Sequence, residues 1–226
     1  SCNFTNYGSA LQSWALHRAI NKLGPNKWQA ALVDYCPDIL KDKDPLNPMK
    51  NMWDTDTERK QMCERSFPPI NINYRKFMDF YCYQFNKTPN KYTAQNFNNI
   101  IGQENINGFV CGSDTIFCPD EFGFDDGYYA NYDCMKNGFT IAYAASFGDP
   151  HFTDGSYRIL NQRLHNFKAI ALRENLMIKY VQEHTSVPVQ KVLDPTLLLV
   201  QSDYDTICAP RLNTGKYLLL YARRHN

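Results

Sequence analysis

Phe139-Thr140-Ile141-Ala142-Tyr143-Ala144-Ala145-Ser146-Phe147-Gly148 decides the fold of this chain. Phe139–Ala145 is a nearly continuous apolar run of strand length, and it breaks into a loop of small residues. Outward from it the pattern repeats. Gly108–Cys111, Lys168–Leu172, Gln190–Leu193 and Lys216–Tyr221 are further short apolar runs. Between several of them lie stretches with helical spacing: Ser156–Phe167 with Ile159, Leu160 and Leu164, and Leu176–His184 with Met177, Tyr180 and Val181. Apolar strands alternating with helices predict an α/β chain whose mainly parallel sheet is covered on both faces.

Toward the start, Leu11, Trp14, Ala15, Ala19 and Leu23 form one apolar face of a helix over Gly8–Leu23, which Gly24-Pro25 ends. A strand is expected at Ala30–Tyr35. Residues 37–66 are charged and carry Pro37, Pro45 and Pro48, so they read as an exposed excursion that Pro68-Pro69 closes. A second helix is expected over Tyr74–Phe85, its stripe of Tyr74, Phe77, Tyr81 and Phe85 packing onto a sheet.

In parallel sheets, ligands bind beyond the carboxyl ends of the strands. Those ends run here into Gly112-Ser113-Asp114, Ala144–Gly148, Arg173-Glu174, Asp194-Pro195-Thr196 and Arg223-Arg224-His225. Parallel strands place all these loops on one edge. Each has a plain structural alternative: Ser113 or Asp114 as a helix cap, Glu174 as a complement to a helix dipole, and Asp194-Pro195 as a strand stop. Arg173, at the end of an apolar strand, requires an anion, either an internal carboxylate or a ligand phosphate or carboxylate. His151, just past the Ser146-Phe147-Gly148 loop, is the histidine best placed to reach that edge.

Composition narrows the classes. With 43% hydrophobic and 14% aromatic residues the chain folds rather than staying disordered. With 24 Lys+Arg against 23 Asp+Glu, no global field draws it to nucleic acid or an anionic membrane. No apolar run approaches the roughly 20 residues needed to span a bilayer, and no secretory leader is legible. The 8 cysteines include no CxxC pair, and Cys36 and Cys111 lie in apolar runs, which favours reduced thiols and a cytoplasmic setting. No His/Cys/Asp set has metal-ligand spacing, and GxGxxG, Walker and GxSxG loops are missing.

Several blocks then resemble one family. Asn6-Tyr7-Gly8-Ser9-Ala10-Leu11-Gln12-Ser13-Trp14-Ala15-Leu16 is similar to the opening signature of the polysaccharide pyruvyl transferases. Phe109–Phe117, Ile141–Gly148, Ala171–Asn175, Val192–Leu199 and Tyr217–Tyr221 resemble that family's later blocks, in the same order. Thr115 and Phe117 stand where the family usually has Gln and Trp, a departure that bears on acceptor contacts. The strand expected before Asn6 is missing or nearly so.

The resemblance implies two Rossmann-like domains facing each other across a cleft, as in GT-B glycosyltransferases. Residues 1–213 would be the first of these, and residues 214–226 the start of the second. It also implies transfer of a pyruvyl group from phosphoenolpyruvate to a saccharide of a cell-surface polysaccharide or exopolysaccharide. The acceptor would be free or lipid-linked, with no further cofactor, and a peripheral membrane position stays open. By motif position, Asp114 and Arg173 are the expected catalytic residues, Asp114 on an acceptor hydroxyl and Arg173 on donor charge. Asn6, Tyr7 and Gly8 (backbone N–H groups at a helix start), Ser113, Ser146, His151, Arg223 and His225 are expected to contact substrates. Two other readings compete: a GT-B-like glycosyltransferase using a sugar nucleotide, and a non-catalytic member that binds glycan or assembles with biosynthetic proteins.

Overall fold

The computed structural model describes residues 6–24, 27–43 and 57–218. Helix α1 (Tyr7–Leu23) is followed by strand β1 (Leu32–Tyr35), helix α2 (Thr57–Tyr83) and strand β2 (Lys87–Tyr92). After the short helix α3 (Ile100–Gln103) come strand β3 (Gly108–Cys111) and the one-turn helices α4 (Pro119–Phe122) and α5 (Asp133–Lys136). The chain continues through β4 (Phe139–Ala145), α6 (Asp154–Leu164), β5 (Ala169–Leu172), α7 (Ile178–Glu183), β6 (Val189–Lys191) and α8 (Gln201–Tyr204).

Four strands make one all-parallel sheet in the order β3-β4-β5-β6. Phe109 lies beside Thr140, Ile141 beside Ala169 and Ile170 beside Val189. A register shift between Ala142 and Ala145 bends the carboxyl end of β4. That end is the edge on which the loops converge. β1 and β2 form a separate parallel pair.

The α/β expectation holds, with β3 and β4 bounded as the apolar runs indicated. The sheet's main core packs Phe109, Cys111, Ala142, Ile170 and Leu172 against Leu160 and Leu164 of α6 and Val181 of α7. Burial pushes the Cys111 thiol up to about 12, so it behaves as a small hydrophobe. The opposite face is only partly covered: Val110 is 41% exposed and Phe139 57%. Coverage on both faces, expected from the apolar strands, is therefore incomplete among the described residues.

Three other expectations are corrected. α2 begins at Thr57, not Tyr74, and runs through Pro68-Pro69. Each proline costs the helix one N–H donor, but the chain on either side keeps its helical path. The supposed exposed excursion thus holds a 3-10 turn at Asp38–Leu40 and the first part of α2, while residues 44–56 lie outside the described residues. The aromatic stripe packs mainly on a helix rather than a sheet. Phe77, Tyr81 and Phe85 close over Ala10, Trp14 and Ala15 of α1, with the Phe77 and Tyr81 rings stacked at 6.1 Å.

β2 carries no strand signal in the sequence, because Lys87-Thr88-Pro89-Asn90-Lys91-Tyr92 has no continuous apolar character. Only Thr88 and Tyr92 turn inward, and Pro89 is tolerated because a two-stranded sheet has only edges. Of the strand expected at Lys216–Tyr221, residues 216–218 are not in strand conformation, and the remainder lies outside the described residues.

Candidate functional site

Two loops are stitched to the carboxyl end of β4. The first leaves β3 through Gly112, at φ 133°, where a side chain would place a Cβ 2.0 Å from the Tyr143 carbonyl oxygen. Ser113 Oγ donates to the Ala144 carbonyl at 2.9 Å. Asp114 then bridges to Ala145, and its carbonyl accepts from Ser146 N at 2.9 Å. This anchorage holds Asp114 at φ 81°, a left-handed conformation that aspartate tolerates better than most residues. The second loop begins at Arg173, whose backbone N–H donates to the Ala145 carbonyl at 3.1 Å. Ala145 therefore registers both expected catalytic residues.

The first helix completes the site. Asn6 caps it, its Oδ1 accepting from Ser9 N at 3.0 Å. Ser9 and Gln12, three residues apart, lie on one face of α1. Ser9 Oγ donates to Asp114 Oδ2, while Asp114 Oδ1 accepts from Thr115 N at 2.9 Å. Gln12 Nε2 donates to Asp194 Oδ2 at 2.5 Å. That oxygen also accepts from Arg173 Nη1 at 3.1 Å, and Arg173 Nε donates to Glu174 Oε1 at 2.9 Å. Asp194 Oδ1 accepts from Thr196 N and Oγ1 at 3.0 and 2.7 Å.

These contacts set the charges. Partial burial works against ionisation of Asp194, but hydrogen bonds from Thr196, Arg173 and Gln12 outweigh it and hold the carboxyl below its ordinary range. Burial likewise opposes the charge on Arg173, and the bonds to Glu174 and Asp194 more than compensate, raising it. Burial first, and the Asp194 charge second, push up the Tyr143 phenol. The cluster thus sets three carboxylates, Asp114, Glu174 and Asp194, against one guanidinium. Among the described residues no group of three or more His, Cys, Asp or Glu is arranged to hold a metal ion.

The expected substrate contacts fall in different places. Asn6, Tyr7 and Gly8 are exposed at the start of α1, with the Asn6 side chain engaged in its cap and Tyr7 Oη donating to the Asn73 carbonyl at 2.9 Å. Ser113 is buried. Ser146 is 1% exposed, and its hydroxyl accepts from Gly148 N at 3.0 Å, so it builds the loop from inside. His151 points away into solvent: its side chain is 87% exposed, and its Nδ1 and backbone N–H both meet Asp120 Oδ2, at 3.0 and 2.9 Å. Asp120 raises the imidazole above its ordinary range. Arg223 and His225 lie outside the described residues. Phe117 is fully buried and stacked on Tyr129 at 4.6 Å, so its departure from the family pattern repacks the core rather than touching a ligand. Thr115 Oγ1 donates to Glu121.

Ser9, Gln12 and Thr196 carry no chemical signal of their own in the sequence, and Asp194-Pro195 has a plain reading as a strand stop. The one local signal is the three-residue spacing of Ser9 and Gln12 in the first turns of the opening helix.

No helix among the described residues is long and apolar enough to cross a membrane. No curated protein and no solved structure matches the chain. A family model does match, that of polysaccharide pyruvyl transferase, and it covers residues 6–225, the span that holds every block and loop of this edge. The chain belongs to the polysaccharide pyruvyl transferase family.

Proposed function

We propose that this protein transfers the pyruvyl group of phosphoenolpyruvate to two hydroxyls of one saccharide unit, forming a ketal on a cell-surface polysaccharide or exopolysaccharide. The supporting observation is that Asp114 and Arg173, on separate loops, are both registered by the backbone of Ala145 at the carboxyl edge of the sheet. In this reading the methylene carbon of phosphoenolpyruvate takes up a proton, leaving positive charge at the central carbon. One acceptor oxygen bonds to that carbon and its proton passes to a base. The second acceptor hydroxyl then bonds to it as the carbon–oxygen bond to phosphate breaks, its proton leaving with the phosphate.

Asp114 is the base, a carboxylate that already accepts a hydrogen bond from the Ser9 hydroxyl as it would from a sugar hydroxyl before taking its proton. Arg173 meets the donor's carboxylate or phosphate through the part of its guanidinium that Glu174 and Asp194 leave open. One cation among three carboxylates does not balance so anionic a donor. The reading therefore assigns further cations to the rest of a GT-B-like cleft, whose second Rossmann-like domain opens at residues 214–226, with Arg223 and His225 among its first side chains. The acceptor is a free or lipid-linked glycan, and the enzyme works in the cytoplasm, needing no cofactor beyond its donor.

The full-length protein incubated with phosphoenolpyruvate and a panel of free and lipid-linked glycans should release phosphate and yield an acid-labile pyruvate ketal. Binding of a nucleotide sugar, with no ketal from any acceptor, would transfer the protein to the glycosyltransferases.

A further inference from the structure

We propose that Asp194 is the positioning residue of this site: backed by Gln12, it fixes the plane of the Arg173 guanidinium so that Nη2 is the end presented to an anion. This inference rests on the reading that Arg173 meets the donor. A guanidinium carries five N–H groups in one plane. Glu174 holds Nε and Asp194 holds Nη1, so two carboxylates from two loops fix both the plane and its rotation about the side-chain axis. Nη2 makes no hydrogen bond to any described residue.

Asp194 is itself held from several sides. Thr196 supplies two hydrogen bonds to Oδ1, and Gln12 reaches Oδ2 from α1. The carboxylate cannot swing away without losing all of them. Electrostatics argues that its role is aim rather than attraction. Glu174 and Asp194 together over-neutralise Arg173, which weakens the pull on an anion in the ground state. An arrangement built only for donor affinity would leave the guanidinium less neutralised. Fixed orientation counts instead in the step where reacting atoms must align, where a displacement of about 1 Å costs roughly 100-fold in rate.

This gives a signature that a merely structural role lacks. Asp194→Asn turns an amide N–H toward Arg173 and Gln12 and removes one negative charge. It should lower kcat by roughly 100-fold while KM for phosphoenolpyruvate stays level or falls. Gln12→Met, which keeps the bulk and removes the donor, should shift kcat in the same direction by a smaller factor. In an Arg173→Lys background, Asp194→Asn should change kcat by less than about twofold, because no guanidinium plane remains to be aimed. The Arg173 Nε–H resonance, identified by its loss in Arg173→Lys, should shift and broaden in Asp194→Asn even without substrate.

An unshifted Nε–H resonance in Asp194→Asn overturns the inference, and so does a kcat loss that persists undiminished in the lysine background. These results leave the proposed reaction standing. Failure of the wild-type protein to form any ketal sinks the reaction while the resonance still tests the positioning.

Discussion

Gln12 and Asp194 stand 182 positions apart in the chain, and their side chains meet at 2.5 Å. With Ser9 on Asp114, 105 positions away, this contact ties the first helix across two loops of the sheet edge. The site is therefore assembled from the beginning, middle and end of the described chain, with α1 as the shared clamp. Four consequences can be measured.

Asp114→Asn removes the proposed base and keeps the shape. Asparagine tolerates the left-handed conformation at φ 81°, and its amide oxygen can still accept from Thr115 N. Ketal formation should fall by roughly 100- to 10,000-fold, while the urea unfolding midpoint moves little. Wild-type turnover in this variant would remove Asp114 from the proton transfer.

Two Gly→Ala substitutions should act in opposite senses. At Gly112 a Cβ would lie 2.0 Å from the Tyr143 carbonyl oxygen, and φ is already 133°, so Gly112→Ala should destabilise by at least about 2 kcal/mol or abolish soluble protein. At Gly102, in α3, nothing lies within 4 Å, and Gly102→Ala should be neutral or stabilise by up to about 1 kcal/mol. Urea titrations of both variants compare them directly.

Acid should weaken the anchorage between α1 and α8. Asp203 is 2% exposed and bonded to Lys22 and Arg18, which lower its carboxyl from 3.8 to about 2. Because the folded value lies below the unfolded one, its contribution is fully present above about pH 4 and is lost as pH falls toward about 2. Asp203→Asn should lower stability near neutrality and flatten this part of the profile. Urea midpoints across that window, falling equally steeply in wild type and variant, would contradict the assignment.

Asn6 should matter as a helix cap before it matters as a ligand contact. Its Oδ1 satisfies Ser9 N, so Asn6→Ala should cost about 1 kcal/mol, and Asn6→Asp should restore most of it. If urea unfolding shows both variants equal to wild type, the cap contributes nothing to stability.

The elements of the sheet were legible because their signal is local. Gly108–Cys111 and Phe139–Ala145 are apolar runs ended by small residues, and the same run-and-loop pattern put Asp114 and Arg173 at strand ends, where the structure has them. Where local signals mislead, tertiary contacts prevailed. Pro68-Pro69 reads as the close of an exposed excursion, yet it lies within α2, and the aromatic stripe of that helix turns to α1 instead of a sheet. The polar Lys87–Tyr92 pairs with β1 because backbone hydrogen bonding does not require an apolar side chain at every position. Ser146, expected to contact substrate, and Phe117, a departure from the family pattern, are buried, and His151 meets Asp120.

The sequence by itself determined an α/β chain and which residue types gather at one edge of its sheet, because strand periodicity and turn chemistry act over a few residues. Only the tertiary structure decided that Ser9 meets Asp114 and that Gln12 and Arg173 share Asp194. Those pairings depend on where α1 settles, and its position is set by the burial of Trp14, Ala15, Phe77 and Tyr81 against one another, a long-range packing outcome that no short stretch of the chain encodes.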